Sequence, residues 1–531
     1  MKRPALARAA AITAAALIAA FGVTVTPAAA STGSSTTAIV AMGDSAISGE
    51  GAGTDTNDAY VTGTDTPTDY CHRSTKSEIF ETGLSGVTPI NLACSGAQTG
   101  DIVSNATYAA ITGTGSGDFG EAKQDVQLAA AAASYKVKMI VLTIGANDDF
   151  DFSGIMSECV ARYFPIPLST GCRTTIGSAT IQSRIAAVIP KVEAALADIR
   201  ATMTDAGYAA SDYQLVLQSY FTPITPAIRS SAYADKVSAG CPIEAEDLAW
   251  GHNFVVPAFD DGLRTAAEAV PGVRFLDQRR TTYGHEVCAE STTSALEYTN
   301  GDVIDTSERT RNGCDVSIGT LGLCENEVRQ SFHPRVAGYA ALGNCLGLFY
   351  AASATEEYCT PGGTGLTALT SGASWWDTPS GGSWFTLTNA SNGNLLDIEG
   401  ADTVGDSTKG RSAITWAANG GLNQSFVFVA QSNGSYVLQY TGNTAMCLDA
   451  ADQSSSAGTK LRDWTCNSTA AQTWNLVPQG GGLYELVPQY ATTMAATIST
   501  DTTAGGNAII ELEPSTGAAN QLWHLTQRGV A

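Results

Sequence analysis

Three copies of one short signature, Gln424-Ser425-Phe426, Gln472-Thr473-Trp474 and Gln521-Leu522-Trp523, stand 48 and 49 residues apart. Each closes a segment that opens on a similar run: Leu395-Leu396-Asp397, Cys447-Leu448-Asp449 and Met494-Ala495-Ala496. Between them lie short β-type runs and many turn residues, without helical periodicity. A unit this small cannot bury its apolar face alone, so the copies must stack on one another. The repeat therefore predicts an all-β unit with three-part internal symmetry.

The chain before the repeat reads differently. Strand-like runs Ala38–Met42, Met139–Thr143, Tyr213–Leu217 and Val273–Asp277 alternate with helical stretches such as the alanine-rich 181–203. That alternation predicts an α/β unit, a parallel sheet with flanking helices. Residues 360–382 hold Pro-Gly-Gly and Pro-Ser-Gly-Gly with little apolar periodicity, and mark the boundary. The expected division is a leader over 1–30, an α/β unit over 36–355, a linker over 356–383 and the all-β unit over 384–527.

The leader reads as a secretory signal. Lys2, Arg3 and Arg8 precede the apolar stretch 9–25, and Ala28-Ala29-Ala30 offers small residues for cleavage. That stretch is too short and alanine-rich for a membrane span, so export and an extracellular location are expected. Twelve cysteines without a Cys-x-x-Cys pair favour disulfides over zinc ligation. Sequence leaves connectivity open; pairing neighbours suggests Cys71–Cys94, Cys159–Cys172, Cys241–Cys288, Cys314–Cys324, Cys345–Cys359 and Cys447–Cys466. A formal charge of −23 disfavours phosphate backbones as partners.

Ester hydrolysis by a serine needs a nucleophile, a base, an orienter for the base and donors for the oxyanion. The run Ala38–Met42 ends in Gly43-Asp44-Ser45, a turn that places a hydroxyl at the carboxyl edge of a sheet. Alone this is a common turn. Of five histidines, His333 stands in Ser331-Phe332-His333-Pro334, just before an expected helix. Gly96 and Asn147, each after an expected strand, offer a backbone and a side-chain donor, with the Ser45 N–H as a third. Asp44 and Asp148 read as braces for their loops. No metal or cofactor is implied.

Taken in order, Gly43-Asp44-Ser45, Gly96, Gly145-Ala146-Asn147-Asp148 and Ser331-Phe332-His333-Pro334 resemble the SGNH (GDSL) hydrolase family over roughly 36–350. The surroundings of Ser45, Cys71-His72-Arg73-Ser74 and Gly284–Cys288 resemble its secreted, disulfide-bonded actinobacterial lipase and esterase branch. The resemblance implies Ser45 as nucleophile, His333 as base and Ser45, Gly96 and Asn147 as the oxyanion hole. It also implies the first three cysteine pairs. Many members carry Asp three residues before the histidine, where this chain has Gln330. The main-chain carbonyl of Gln330 or Ser331 is then expected to orient His333, with Glu327 a weaker candidate. His285 is read as structural.

The repeated unit resembles a ricin B-type β-trefoil over about 384–527, with Cys447–Cys466 as the disulfide within a repeat. In that family an acid, an aromatic ring and an amide hold a sugar. The first repeat keeps Asp397, Trp416 and Asn423. The second keeps Asp449 and Trp464, with Arg462 and Gln472 nearby, but has Ala471 at the amide. In the third, Ala496 and Glu513 replace acid and ring, leaving Asn520. The expected function is a secreted carboxylic ester hydrolase, a lipase or esterase, tethered to a polysaccharide or other glycan. One alternative is deacetylation of polysaccharides; another is a glycan-binding protein without catalysis.

Overall fold

The computed structural model describes residues 36–52, 60–116, 119–164, 170–294, 297–301, 317–318, 323–324, 328–368, 383–480 and 482–530. The expected leader, Glu327, Cys314 with its pairing to Cys324, and residues 369–382 lie outside the described residues.

Seven strands form the first sheet: β1 (Thr37–Gly43), β2 (Val87–Asn91), β3 (Lys136–Thr143), β4 (Gln214–Gln218), β5 (Val273–Asp277), β6 (Glu356–Cys359) and β7 (Leu366–Ala368). Their order is β2-β1-β3-β4-β5-β6-β7; the pairings are parallel up to β6, and β7 runs antiparallel on the edge. The register sets Val40 beside Ile140, and Leu217 beside Phe275. Pro89, which cannot donate to a ladder, lies in edge strand β2.

Side-chain alternation explains why β1 is apolar throughout. Val40, Met42, Ile140 and Leu142 face Ile185, Val188, Val192 and Leu196 of helix α3 (Ser178–Asp205), with Phe259 and Leu263 of α4 (Val256–Ala269). Ile39, Ala41, Met139 and Val141 face Leu346 and Phe349 of α5 (Val336–Ala351). Covering both faces with helices makes a three-layer unit whose central strands read as continuous apolar runs.

The expected linker needs correction at its start. Glu356–Cys359 and Leu366–Ala368 are strands of the first sheet, and Cys345–Cys359 ties β6 to α5. The charged pair Glu356-Glu357 hid the strand. Glu356 is buried because Arg264 of α4 donates to its Oε2 from Nε at 3.0 Å and Nη2 at 2.7 Å.

Beyond 382, twelve strands from Ser383 to Val530 pair antiparallel. The three expected glutamines sit in three matching single-turn helices: 422–424, 470–472 and 519–521. Each side-chain oxygen accepts from the backbone N–H five residues earlier, at Asn419, Asn467 and Thr516. Each side-chain nitrogen donates to the carbonyl seven residues earlier, at Ala417, Thr465 and Pro514. The amide thus pins its own loop in a fixed shape. Two residues on, Phe426, Trp474 and Trp523 fill the core.

The two units touch. Arg173 pairs with Asp402 at 3.3 Å, the Val404 N–H donates to Glu246, and the His252 ring lies against Trp384. Five of the suggested disulfides are present: Cys71–Cys94, Cys159–Cys172, Cys241–Cys288, Cys345–Cys359 and Cys447–Cys466. Among the described residues, no helix is long and apolar enough to cross a membrane.

Gly43 ends β1 with φ +133°, and a Cβ there would lie 1.9 Å from the Thr143 carbonyl oxygen. Gly43→Ala is therefore expected to cost about 2–4 kcal/mol, through strain and a forced separation of β1 from β3. Denaturant unfolding checks this; an unshifted midpoint for the first unit's transition contradicts it.

Candidate functional site

The site is built at the carboxyl ends of the adjacent strands β2, β1 and β3. In open α/β sheets ligands bind at this edge, where the chain's winding direction reverses. After β1, Asp44 caps the short helix α1 (Ser45–Ser48) by accepting from the Ala46 N–H at 3.0 Å. That cap holds Ser45 at the first helical position, half-buried at the sheet edge. After β2, Cys94 N donates to Gly43 O at 3.0 Å, bringing the turn 94–97 beside Ser45. After β3, the loop at Gly145–Asp148 is drawn onto the same turn. Asn147 Nδ2 donates to Ala97 O at 3.1 Å, and Gln98 Nε2 donates to Asn147 O at 2.7 Å.

The two braces expected at Asp44 and Asp148 have the geometry of braces. Asp148 accepts from the Thr99 N–H at 2.9 Å and the Thr99 hydroxyl at 2.7 Å. Asp44 also accepts from the Tyr220 hydroxyl, which in turn accepts from the Ala146 N–H at 3.0 Å. Burial pushes the Asp44 carboxyl up to about 7. A further clamp had no signal in the sequence. The Gln124 side chain exchanges two hydrogen bonds of 2.8 Å with the backbone of Gly43.

His333 arrives from the far end of the first unit. Phe332 adopts φ +61°, and Asn300 N donates to His333 O at 2.8 Å, fixing the loop before α5. Pro334 stands two residues ahead of the first helical residue rather than inside the first turn. His333 Nε2 lies 2.7 Å from Ser45 Oγ, and Nδ1 lies 3.1 Å from Ser331 O. Of the two expected carbonyls, Ser331 thus meets the ring, while Gln330 O accepts from the His333 N–H at 3.3 Å. Burial lowers the His333 pKa from its ordinary value, against the opposing charge of Glu50 and the Ser331 and Arg329 carbonyls.

The donors expected for an oxyanion are placed around Ser45. Ser45 N–H lies in a first helical turn, where no intrahelical acceptor exists. Gly96 takes φ +83°, with open space at its missing side chain until the Phe119 ring at 3.8 Å. Hydroxyl, imidazole, carbonyl and donors on one edge can activate a nucleophile and receive negative charge on oxygen.

Sequence reading missed Glu50. Its carboxylate is fully buried and accepts from the Tyr60 hydroxyl at 2.7 Å and the Ser95 hydroxyl at 2.7 Å. His72 Nδ1 lies 2.6 Å away, so His72 is part of this network rather than only a neighbour of the Cys71 disulfide. His285 stacks on Tyr298 at 4.1 Å, in keeping with a structural part.

In the β unit, Asp397 accepts from Asn423 Nδ2 at 2.8 Å and Gln424 Nε2 at 2.9 Å. Burial pushes its carboxyl up to about 7. Trp416, which pairs with Leu395 across the strands, leaves 43% of its surface exposed. In the second repeat Arg462 donates to Asp449 at 3.0 Å and lies 4.3 Å from the centre of the Trp464 ring. Its guanidinium thus touches both the acid and the ring of that repeat. The third repeat corrects the expected alignment by one residue. Gln521 donates to Thr497, as Gln424 does to Asp397, so Thr497 and not Ala496 holds the acid's place. Glu513, opposite Ala495, does stand where the ring would be.

Threefold turns of this kind, on twelve antiparallel strands, define a β-trefoil. Residues 373–464 and 422–511 match the family model described as ricin-type beta-trefoil lectin domain-like, and the C-terminal region is a ricin B-type lectin domain. Among solved structures, a designed three-fold symmetric protein, ThreeFoil, shares 26% identity over 27% of this chain and 97% of its own, with TM-score 0.25. The Macrolepiota procera ricin B-like lectin, solved with lactose, shares 19% over 28% and 98%, with TM-score 0.23. The earthworm R-type lectin C-half, solved with GalNAc, shares 19% over 27% and 98%, with TM-score 0.21. No curated protein matches the chain.

Proposed function

We propose that the protein is a secreted serine carboxylic ester hydrolase of the SGNH type, carried to glycan surfaces by its trefoil. The observation that carries this reading is the 2.7 Å contact between Ser45 Oγ and His333 Nε2 at the sheet edge. His333 takes the Ser45 proton as Oγ attacks the ester carbonyl, and the resulting oxyanion is received by the Ser45 and Gly96 N–H groups and the Asn147 amide. Collapse expels the alcohol, which takes its proton from His333 Nε2. Water, deprotonated by His333, then cleaves the acyl-Ser45 ester and releases the acid. The Ser331 carbonyl keeps Nε2 facing Ser45 by accepting from Nδ1–H.

The trefoil's role is tethering. Exposed Trp416 beside Asp397 and Asn423 offers a ring for the apolar face of a sugar and polar groups for its hydroxyls. Holding the enzyme on an insoluble polymer raises the local ester concentration without altering the chemistry. That favours acyl groups on polysaccharides as a second substrate reading, beside lipid or simple acyl esters. A panel of acetylated xylan, tributyrin and phosphatidylcholine vesicles separates them, and no hydrolysis of any ester leaves the non-catalytic glycan binder.

For the sugar site, Asp397→Ala is expected to weaken glycan binding about tenfold, a loss of about 1.4 kcal/mol. Because burial raises the Asp397 pKa to about 7, the ionised acceptor prevails above that pH. Wild-type affinity should therefore rise as pH passes upward through 7. Titration on a glycan array tests both; equal binding by the variant removes the first-repeat site.

A further inference from the structure

An ionised carboxylate buried from water is costly unless charges and hydrogen bonds compensate it. Glu50 is compensated on three sides, by Tyr60, Ser95 and His72, with the Tyr60 ring stacked on His72 at 4.4 Å. So complete a cage around one carboxylate, directly after the helix that presents Ser45, calls for a reason. The backbone gives its position. Tyr339 of α5 donates to Glu50 O at 2.8 Å, and Asn300 Nδ2 donates to Gly51 O at 3.0 Å while its N–H holds His333 O. Gly51 lies so close to the base that a Cβ on it would come within 2.9 Å of His333 Cβ. The residue after Glu50 is thus packed against the loop that carries His333, while the Glu50 carboxylate itself bonds to Tyr60, Ser95 and His72.

The Ser45–His333 pair has a deficit that this position answers. When His333 takes the serine proton it becomes a cation. Its Nδ1 partner is a neutral carbonyl, and Gln330 stands where many such enzymes place a carboxylate. A carbonyl orients a ring but does not balance its charge. We infer that Glu50, held in its buried cage, is a positioning residue that supplies the negative charge for the His333 imidazolium during acyl transfer. This rests on the esterase reading above. Electrostatics agree in direction. Burial would push the Glu50 carboxyl up, but His72, His333 and Ser95 together hold it well below the usual carboxylate range. Its charge in turn raises the His333 pKa, while burial and His72 lower it.

Other titratable groups face this region. Asp65 lies 3.6 Å from His72 Nε2 on the side away from Glu50. Tyr60 and Tyr339 are buried hydroxyls whose pKa values are raised further by burial. Asp44 is tied to Tyr220, and the Ser331 and Arg329 carbonyls meet the ring itself.

The test is an NMR titration of the His333 ring in the full chain, its signal assigned by loss in His333→Asn. In Glu50→Gln the midpoint is expected to fall by about half a unit or more, and Glu50→Asp should restore most of it. The acid limb of kcat/KM for a nitrophenyl ester should move the same way, with a loss of about tenfold. A midpoint unmoved in Glu50→Gln overturns the inference and leaves the cage as a brace for the Cys71 loop. Should that variant not fold, Tyr60→Phe decides: it removes a neutral donor that offsets the carboxylate's charge, so a raised midpoint supports the inference and an unchanged one overturns it. Failure of the esterase reading looks different, as equal hydrolysis by wild type and Ser45→Ala.

Discussion

Ser45→Ala is expected to lower kcat/KM for a short nitrophenyl ester by about 10^4-fold or more, because members of such a pair act as a unit. Oγ is the atom 2.7 Å from His333 Nε2, and its removal leaves the base without a proton to take. Ser45 is half-buried, and its side chain is not part of the cap made by Asp44, so the fold should be unaffected. Melting temperature should therefore match the wild type while activity disappears. In the wild type the same pair predicts the pH profile. The base must be neutral, and burial lowers its pKa. Activity should persist below about pH 6.5, the ordinary histidine value, and fall only as pH drops further. An acid limb above that value contradicts the placement of His333.

Asn147→Ala is expected to lower kcat by about 10²–10³-fold, or about 2.7–4 kcal/mol of transition-state stabilisation, with little change in KM. A donor aimed at developing charge contributes most when that charge exists, so its loss appears in kcat rather than in ground-state binding. The loop itself is held by other contacts, Asp148 on Thr99 and Tyr220 on Ala146. Truncating Asn147 forfeits one hydrogen bond, to Ala97 O, and should leave the loop in place. Steady-state kinetics with a soluble ester check the split. A rise in KM at constant kcat contradicts the oxyanion role.

The legible parts of this chain were those where one residue type has one physical use. Continuous apolar runs became buried parallel strands, and glutamines two residues before an aromatic became the three loop pins. Neighbouring cysteines closed as suggested wherever both partners are described. Ser45, Gly96, Asn147 and His333 were legible because each follows a strand or precedes a helix at the same sheet edge. Glu50 was not, since nothing in Ser48-Gly49-Glu50-Gly51 separates a buried carboxylate from a solvated one. Its partners come from residues 60, 72 and 95, brought in only by the fold. The strand at Glu356 was hidden likewise by a partner on α4. At Thr497, alignment by residue likeness slipped one position, and the Gln521 hydrogen bond corrected it.

On the proposed mechanism Ser45 forms a covalent acyl intermediate. Treating the full chain with a nitrophenyl phosphonate, which serine esterases attack but cannot turn over, followed by peptide mass measurement, tests it most directly. One adduct is expected, on the peptide carrying Ser45, with ester hydrolysis lost in step with labelling. Hydrolysis that persists while Ser45 is fully labelled, or an adduct confined to another residue as activity falls, would contradict it.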